Sequence, residues 1–155
     1  MKNKFMAEAI RLSRKMTRAG EGGPFGAVIV KNGKIIARGW NRVTSTNDPT
    51  AHAEMMAIRI ACKKLKNFQL DNCVIYTSCE PCPMCLAAIY WARPKKIFYA
   101  NTKKDAAKIG FDDDFIYKEL KQAPAKRKML IIPMMRNEAL PVFQEWSRKK
   151  DKIRY

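Results

Sequence analysis

With 155 residues the chain is long enough to bury one core and too short for two comfortable domains, so a single domain over 1–155 is expected. No uninterrupted apolar stretch approaches the roughly 20 residues of a membrane span, and Met1 to Phe5 leads into a mixed helix without the apolar core of a signal peptide, so a soluble, cytoplasmic protein is expected. Lys and Arg number 31 against 14 Asp and Glu, and the resulting +17 speaks to solubility and to attraction of polyanions rather than to chemistry; nucleic acid is kept as the less favoured partner.

Phe5, Ala9, Leu12 and Met16 recur at helical spacing and are stopped by Gly20, Gly22, Gly23 and Pro24, which predicts an amphipathic helix ending in a glycine-rich turn. Two apolar runs, 27–30 and 35–39, flank Lys31-Asn32-Gly33-Lys34, and Asn-Gly in that setting predicts a β-hairpin with Asn41 just beyond its second strand. Asn47-Asp48-Pro49-Thr50 breaks the chain, after which Met56, Ile60 and Leu65 mark a second helix carrying His52 and Glu54 in its first turn. Residues 73–77 read as a buried strand running into Ser78-Cys79-Glu80-Pro81-Cys82-Pro83-Met84-Cys85, where Pro83 suits the first turn of a third helix. A fourth strand at 96–100, a fourth helix at 115–120, a fifth strand at 129–135 and a last helix at 141–150 complete the pattern. Strands alternating with helices after an opening hairpin predict an α/β fold, a mixed five-stranded sheet with helices on both faces.

Five cysteines, three of them within seven residues, fit reduced thiols and a metal better than disulfides. Cys82 and Cys85 lie three apart, so a helix directs both sulfurs at one point. Such a pair alone serves equally as a redox centre or as half of a structural zinc knuckle. A knuckle needs a second Cys or His pair, and this chain has only one histidine, His52. Three ligands from His52, Cys82 and Cys85 leave the fourth tetrahedral position of Zn²⁺ open for water, the mark of a catalytic site. Two thiolates offset the formal charge of the metal, so its water is acidified less than it would be by three neutral imidazoles, and a base is required. Glu54, two residues beyond His52, is placed to shuttle that proton. His-x-Glu followed by Pro-Cys-x-x-Cys is the signature of zinc deaminases that act on nucleobases. A reading from another class, a basic nucleic-acid-binding module with vestigial zinc, is disfavoured by the intact Glu54.

Gly23-Pro24-Phe25-Gly26-Ala27-Val28-Ile29-Val30, Asn47 to Glu54, Tyr76 to Cys85 and Ile89-Tyr90-Trp91-Ala92-Arg93-Pro94 closely resemble the bacterial guanine deaminases of the cytidine deaminase superfamily, and the likeness continues through Gly110-Phe111-Asp112-Asp113 and Phe115 to Glu119. The resemblance implies a three-layer cytidine-deaminase-like fold, one Zn²⁺ per chain, and hydrolysis of guanine to xanthine and ammonia in purine catabolism or salvage. It also implies that Asn41 hydrogen-bonds the base, that Phe25 and Trp91 line the pocket, and that Asp113 sits over the site. Guanine presents N1–H and a 2-amino group as donors, so carboxylate acceptors at Glu54 and Asp113 suit it. The same likeness implies a homodimer that exchanges segments of about 137–155, so that Tyr155 closes over the partner's pocket. A tRNA adenosine deaminase is the alternative, because it shares the metal motif and must hold a polyanion, although Asp112-Asp113-Asp114 would repel a phosphate backbone. A deaminase of another aminopurine, of a nucleoside or of an aminated triazine is the remaining alternative.

Overall fold

A computed structural model describes residues 3–155 and divides into two compact units, one ending at Asp113 and the other spanning Asp114–Tyr155. The first unit opens with α1 (Lys4–Arg18), whose free first-turn amides at Phe5 and Met6 donate to the Asn3 side chain at 3.0 and 3.2 Å. β1 (Gly26–Lys31) and β2 (Lys34–Trp40) form the expected hairpin, and both turn residues, Asn32 and Gly33, take positive φ (50° and 72°). That pair of dihedrals is what a tight turn between right-twisted strands requires, and it explains the Asn-Gly sequence.

β3 (Cys73–Cys79) lies antiparallel to β1, and β4 (Lys96–Asn101) runs parallel to β3, giving one sheet in the order β2-β1-β3-β4. The parallel pair is joined through α4 (Pro83–Ala92). Alternation along β1 sorts the core into two layers. Ala27 and Ile29 face a cluster shared with Ala53, Ala57 and Ala61 of α3 (Ala53–Leu65) and Ile89 and Ala92 of α4, whereas Val28 and Val30 face Leu12 of α1 and Tyr76. Helices therefore cover both faces of the sheet, as expected.

The small residues of α3 are a packing requirement. A Cβ on Gly39 of β2 would fall 2.1 Å from the Ala53 carbonyl oxygen and 2.5 Å from the Ala57 nitrogen, so only glycine lets the first turn of α3 come down onto the sheet. That contact fixes the height of His52 and Glu54 above the sheet.

The sheet has four strands and not five. Residues 129–135 enter no ladder among the described residues; Met129, Leu130, Ile132 and Met134 are all exposed, and Pro133 removes a donor from the middle of the run. Apolar content set the expectation there, but a strand forms only where another segment takes its backbone hydrogen bonds. Two short helices were not expected: α2 (Val43–Thr46), and α5 (Lys103–Lys108), which begins with a reciprocal Thr102/Asp105 capping box. The second unit contains α6 (Asp114–Lys121), a 3-10 turn (Pro124–Lys126) and α7 (Arg136–Arg148), which starts five residues before the Pro141 expected to open it. Neither α6 nor α7 carries a buried residue. No helix of the described residues is long and apolar enough to cross a membrane.

Candidate metal centre and active site

His52 and Cys82 are the residues immediately before α3 and α4, each in extended conformation, so two helix amino termini converge on one point with Pro83 opening the second helix. Neither side chain caps its own helix. Instead His52 Nδ1 lies 3.6 Å from Cys82 Sγ and 3.5 Å from Cys85 Sγ, and one ligand atom from each residue lies within 4.8 Å of the other two. With Zn–S near 2.3 Å and Zn–N near 2.0–2.1 Å, adjacent N and S vertices of a tetrahedron stand about 3.6 Å apart. The triad is thus already at the spacing of a zinc site, and the residues fit the ion. Cys62, Cys73 and Cys79 take no part in the cluster.

The electrostatics agree with the donor set. The Cys82 thiol is drawn down to about 4, first by a hydrogen bond from the Cys85 thiol and then, against the cost of burial, by His52 and the Cys85 backbone. The same bond, together with burial, pushes Cys85 up, because it holds the proton that Cys82 has given up. His52 is raised chiefly by its hydrogen bond to Cys82. A thiolate, a thiol and an imidazole clustered in this way are a set of ligands from which a divalent cation displaces protons.

Glu54, in the first turn of α3, is 6% exposed, and burial pushes its carboxyl up from the ordinary value. Thr77 Oγ1 of β3 donates to its Oε1 at 3.1 Å. Asn41 is also buried; its Oδ1 accepts from the Gly23 and Val43 amides, each at 3.2 Å, and its own amide donates to the Phe25 carbonyl at 3.1 Å. The Asn41 side chain is thereby oriented with its oxygen engaged and its NH₂ turned away from those donors. Phe25 meets Phe111 edge to face at 4.9 Å. Burial raises the Asp113 carboxyl, and the Cys82 charge raises it further; Asp113 in turn raises His52, so it lies within electrostatic reach of the triad.

Trp91 is 62% exposed in the last turn of α4, six residues beyond Cys85 and hence about 9 Å further along the helix axis. Tyr155 belongs to the second unit and is largely exposed. Sequence reading missed Thr77, because a threonine in an apolar strand reads as an ordinary strand former. It also missed Ser78, whose hydroxyl accepts from the Gly26 amide at 3.0 Å and ties β3 to the start of β1.

The family description of the cytidine and deoxycytidylate deaminase zinc-binding region matches residues 1–101. The chain is 56% identical over 151 residues to guanine deaminase of Bacillus subtilis (strain 168), with 97% of each sequence covered. It superposes on the X-ray structure of guanine deaminase from Bacillus subtilis with a TM-score of 0.96 at 54% identity, over 100% of this chain and 99% of that one. It is 39% identical over 127 residues, 82% of each sequence, to the tRNA-specific adenosine deaminase of Buchnera aphidicola subsp. Schizaphis graminum (strain Sg).

Proposed function

From the premise that this chain belongs to the zinc-binding cytidine and deoxycytidylate deaminase family, we propose that it hydrolyses guanine to xanthine and ammonia. The observation that carries the reading is the buried Glu54 carboxyl beside a His52–Cys82–Cys85 cluster of zinc-site spacing, in a chain that matches a guanine deaminase along nearly its whole length.

Zinc would be held by His52, Cys82 and Cys85 and would supply Lewis-acid activation of water. Glu54 takes a proton from the attacking water as its oxygen adds to C2 of the purine and the C2=N3 electron pair moves to N3, which takes up a proton; Glu54 then returns a proton to the 2-amino nitrogen as the C2–N bond breaks, so both protons of one water are placed and one ammonia leaves. Burial raises the proton affinity of this carboxyl, which favours its taking up and holding the proton between the two halves of that cycle. Asn41, its oxygen held by two backbone amides, offers its NH₂ to an acceptor on the base. Asp113 accepts from the N1–H edge, and Phe25, braced by Phe111, and Trp91 wall the ring.

The assembly in this reading is a homodimer in which residues of about 137–155 are exchanged, so that Tyr155 of each chain closes over its partner's pocket. Support comes from the second unit itself, where α6 and α7 bury no residue and Ile153 and Tyr155 are exposed. The cytoplasm is the compartment of the reaction, because thiolate ligands need a reducing medium and all five cysteines are free.

A second reading, deamination of adenosine in tRNA, is favoured by the +17 charge and by the 39% identity to a tRNA-specific enzyme. Ammonia release measured on guanine, guanosine, adenine, cytosine and a tRNA anticodon hairpin tests both. Guanine is expected to be the best substrate by kcat/KM; preference for the hairpin would replace the first reading with the second.

A further inference from the structure

We propose that Thr77 is a positioning residue for the reaction, acting through Glu54 and not on the substrate; the inference rests on the reading of Glu54 as the proton shuttle. Thr77 lies in β3, between the two neighbouring strands, with its Cα opposite Ala27 of β1 and Tyr99 of β4. Strand alternation puts it on the same face as Cys73 and Ile75, both fully buried in the layer beneath α3 and α4, and Thr77 itself is 1% exposed. In that row every other demand on the side chain is apolar. Valine has nearly the same shape, so what threonine adds at this position is one hydroxyl.

A hydroxyl buried there is costly unless it is hydrogen-bonded. Its bond runs across 23 positions of sequence to Glu54 Oε1, at 3.1 Å, and Glu54 is itself buried. Two features make this a positioning device and not merely a satisfied pair. Threonine is stiff at χ1, and β3 is hydrogen-bonded on both sides, so the donor is fixed to the most constrained strand of the sheet. The bond engages Oε1 and, together with the Glu54 backbone amide that also bonds the carboxyl, sets the rotation of the group. A proton shuttle that must reach both an attacking water and a departing amine depends on that rotation, and small misplacements are costly in rate.

The test compares Thr77→Val, Thr77→Ser and Glu54→Gln, alone and combined, each with zinc content, thermal stability, kcat and KM for guanine. Thr77→Val is expected to keep its zinc and its KM and to lose about 10- to 100-fold in kcat, with Thr77→Ser recovering most of the loss. In the Glu54→Gln background Thr77→Val is expected to cost nothing further, because its effect runs through the missing carboxylate. An unchanged kcat in Thr77→Val overturns the proposal, as does a Thr77→Ser no better than Val, or a loss that multiplies with that of Glu54→Gln. Thr77→Ala removes the same hydroxyl if Val does not fold; failure of both variants to fold or to load zinc would make Thr77 a structural residue. Full activity in Glu54→Gln would instead sink the shuttle reading itself, whatever Thr77 does.

Discussion

Gly39 of β2 and the Ala53 carbonyl of α3 are in contact so close that a Cβ on Gly39 would stand 2.1 Å from the oxygen. His52 immediately precedes Ala53 and Glu54 immediately follows it, so this backbone contact sets the position of both the ligand and the base. Gly39→Ala cannot be relieved by a rotamer change, because the obstacle is main chain. It is expected to destabilise the fold by about 1–3 kcal/mol or more and to lower zinc affinity and activity together. Thermal unfolding with and without added zinc measures both; a variant with wild-type stability and metal affinity would mean that α3 is positioned by something other than this contact.

The metal ligands and the base should separate under mutation. His52→Ala or Cys85→Ala removes a donor from a cluster whose N···S spacings are 3.6 and 3.5 Å, and each is expected to lose the metal. Glu54→Ala leaves all three donors in place, so it should retain about one zinc per chain while losing about 10² to 10⁴ of the rate. Metal analysis beside an ammonia assay distinguishes the two behaviours. Undiminished activity in a zinc-loaded Glu54→Ala protein would remove Glu54 from the mechanism.

The parts of this molecule legible in its sequence are those decided locally. Asn32-Gly33 declares its hairpin because the turn itself demands two positive φ values, and His52, Glu54, Cys82 and Cys85 declare a metal site because a lone histidine leaves few other ways to complete it. What was illegible depends on pairing across the chain. Residues 129–135 carry strand-like composition, yet whether they become a strand rests on a neighbour that composition does not specify. Thr77 looked like any β-branched residue of an apolar strand; its role emerges only when Glu54, 23 positions away, is found at its hydroxyl. Trp91 is 62% exposed near the end of α4, and an exposed aromatic at a helix end reads the same in sequence whether it serves a pocket or only packing.

Glu8 of α1 binds Arg11 on its own helix and Arg38 of β2, both at 2.7 Å, and the Arg11 hydrogen bond foremost, with Arg38 adding to it, holds its carboxyl at about 2 against the usual 4.5. In the unfolded chain the group takes up its proton around 4.5, while in the folded protein it stays ionised down to about 2. Its contribution to stability is therefore full above pH 4.5 and is lost as the pH falls through that window to 2. Both arginines are half exposed, so the effect is modest and should shrink with added salt. Denaturant unfolding of the wild type and Glu8→Gln should show the wild type more stable at pH 6, with the gap narrowing below pH 4.5 and closing only as the pH reaches about 2. A gap that does not change with pH would mean that the pair stabilises by packing and not by charge.

The +17 charge makes opposite predictions for the two substrate readings. Guanine is neutral, so its kcat/KM should vary little between low and moderate salt. A phosphate backbone releases counterions on binding, and its apparent affinity should fall steeply over the same range. Asp113, within electrostatic reach of Cys82 and next to Asp112, favours the neutral base. Titrating salt against turnover of guanine and of a tRNA hairpin decides between them: strong salt inhibition with the hairpin as the better substrate would reverse the assignment.

The proposed exchange of carboxyl-terminal segments yields the remaining prediction. Ile153 and Tyr155 are 68% and 69% exposed, an unusual pair to leave in water at the end of a segment containing Arg148, Lys149, Lys150, Lys152 and Arg154. A terminal aromatic that closes over a pocket would exclude all water except the one that reacts, and its hydroxyl would add a donor or acceptor for the base. Deleting residues 153–155 should leave a folded, zinc-loaded protein with strongly impaired guanine turnover, because His52, Cys82 and Cys85 all lie in the other unit. Action in trans is testable by mixing. A truncated chain keeps a complete metal site but lacks Tyr155, while a full-length Glu54→Ala chain keeps Tyr155 but lacks the shuttle. In a heterodimer of the two, the intact Tyr155 would close over the intact shuttle, and activity should recover to a fraction set by the heterodimer population. If the lid acts in cis, no such recovery occurs, since neither chain carries both groups. Full activity of the truncated protein by itself would mean that the tail has no part in the reaction.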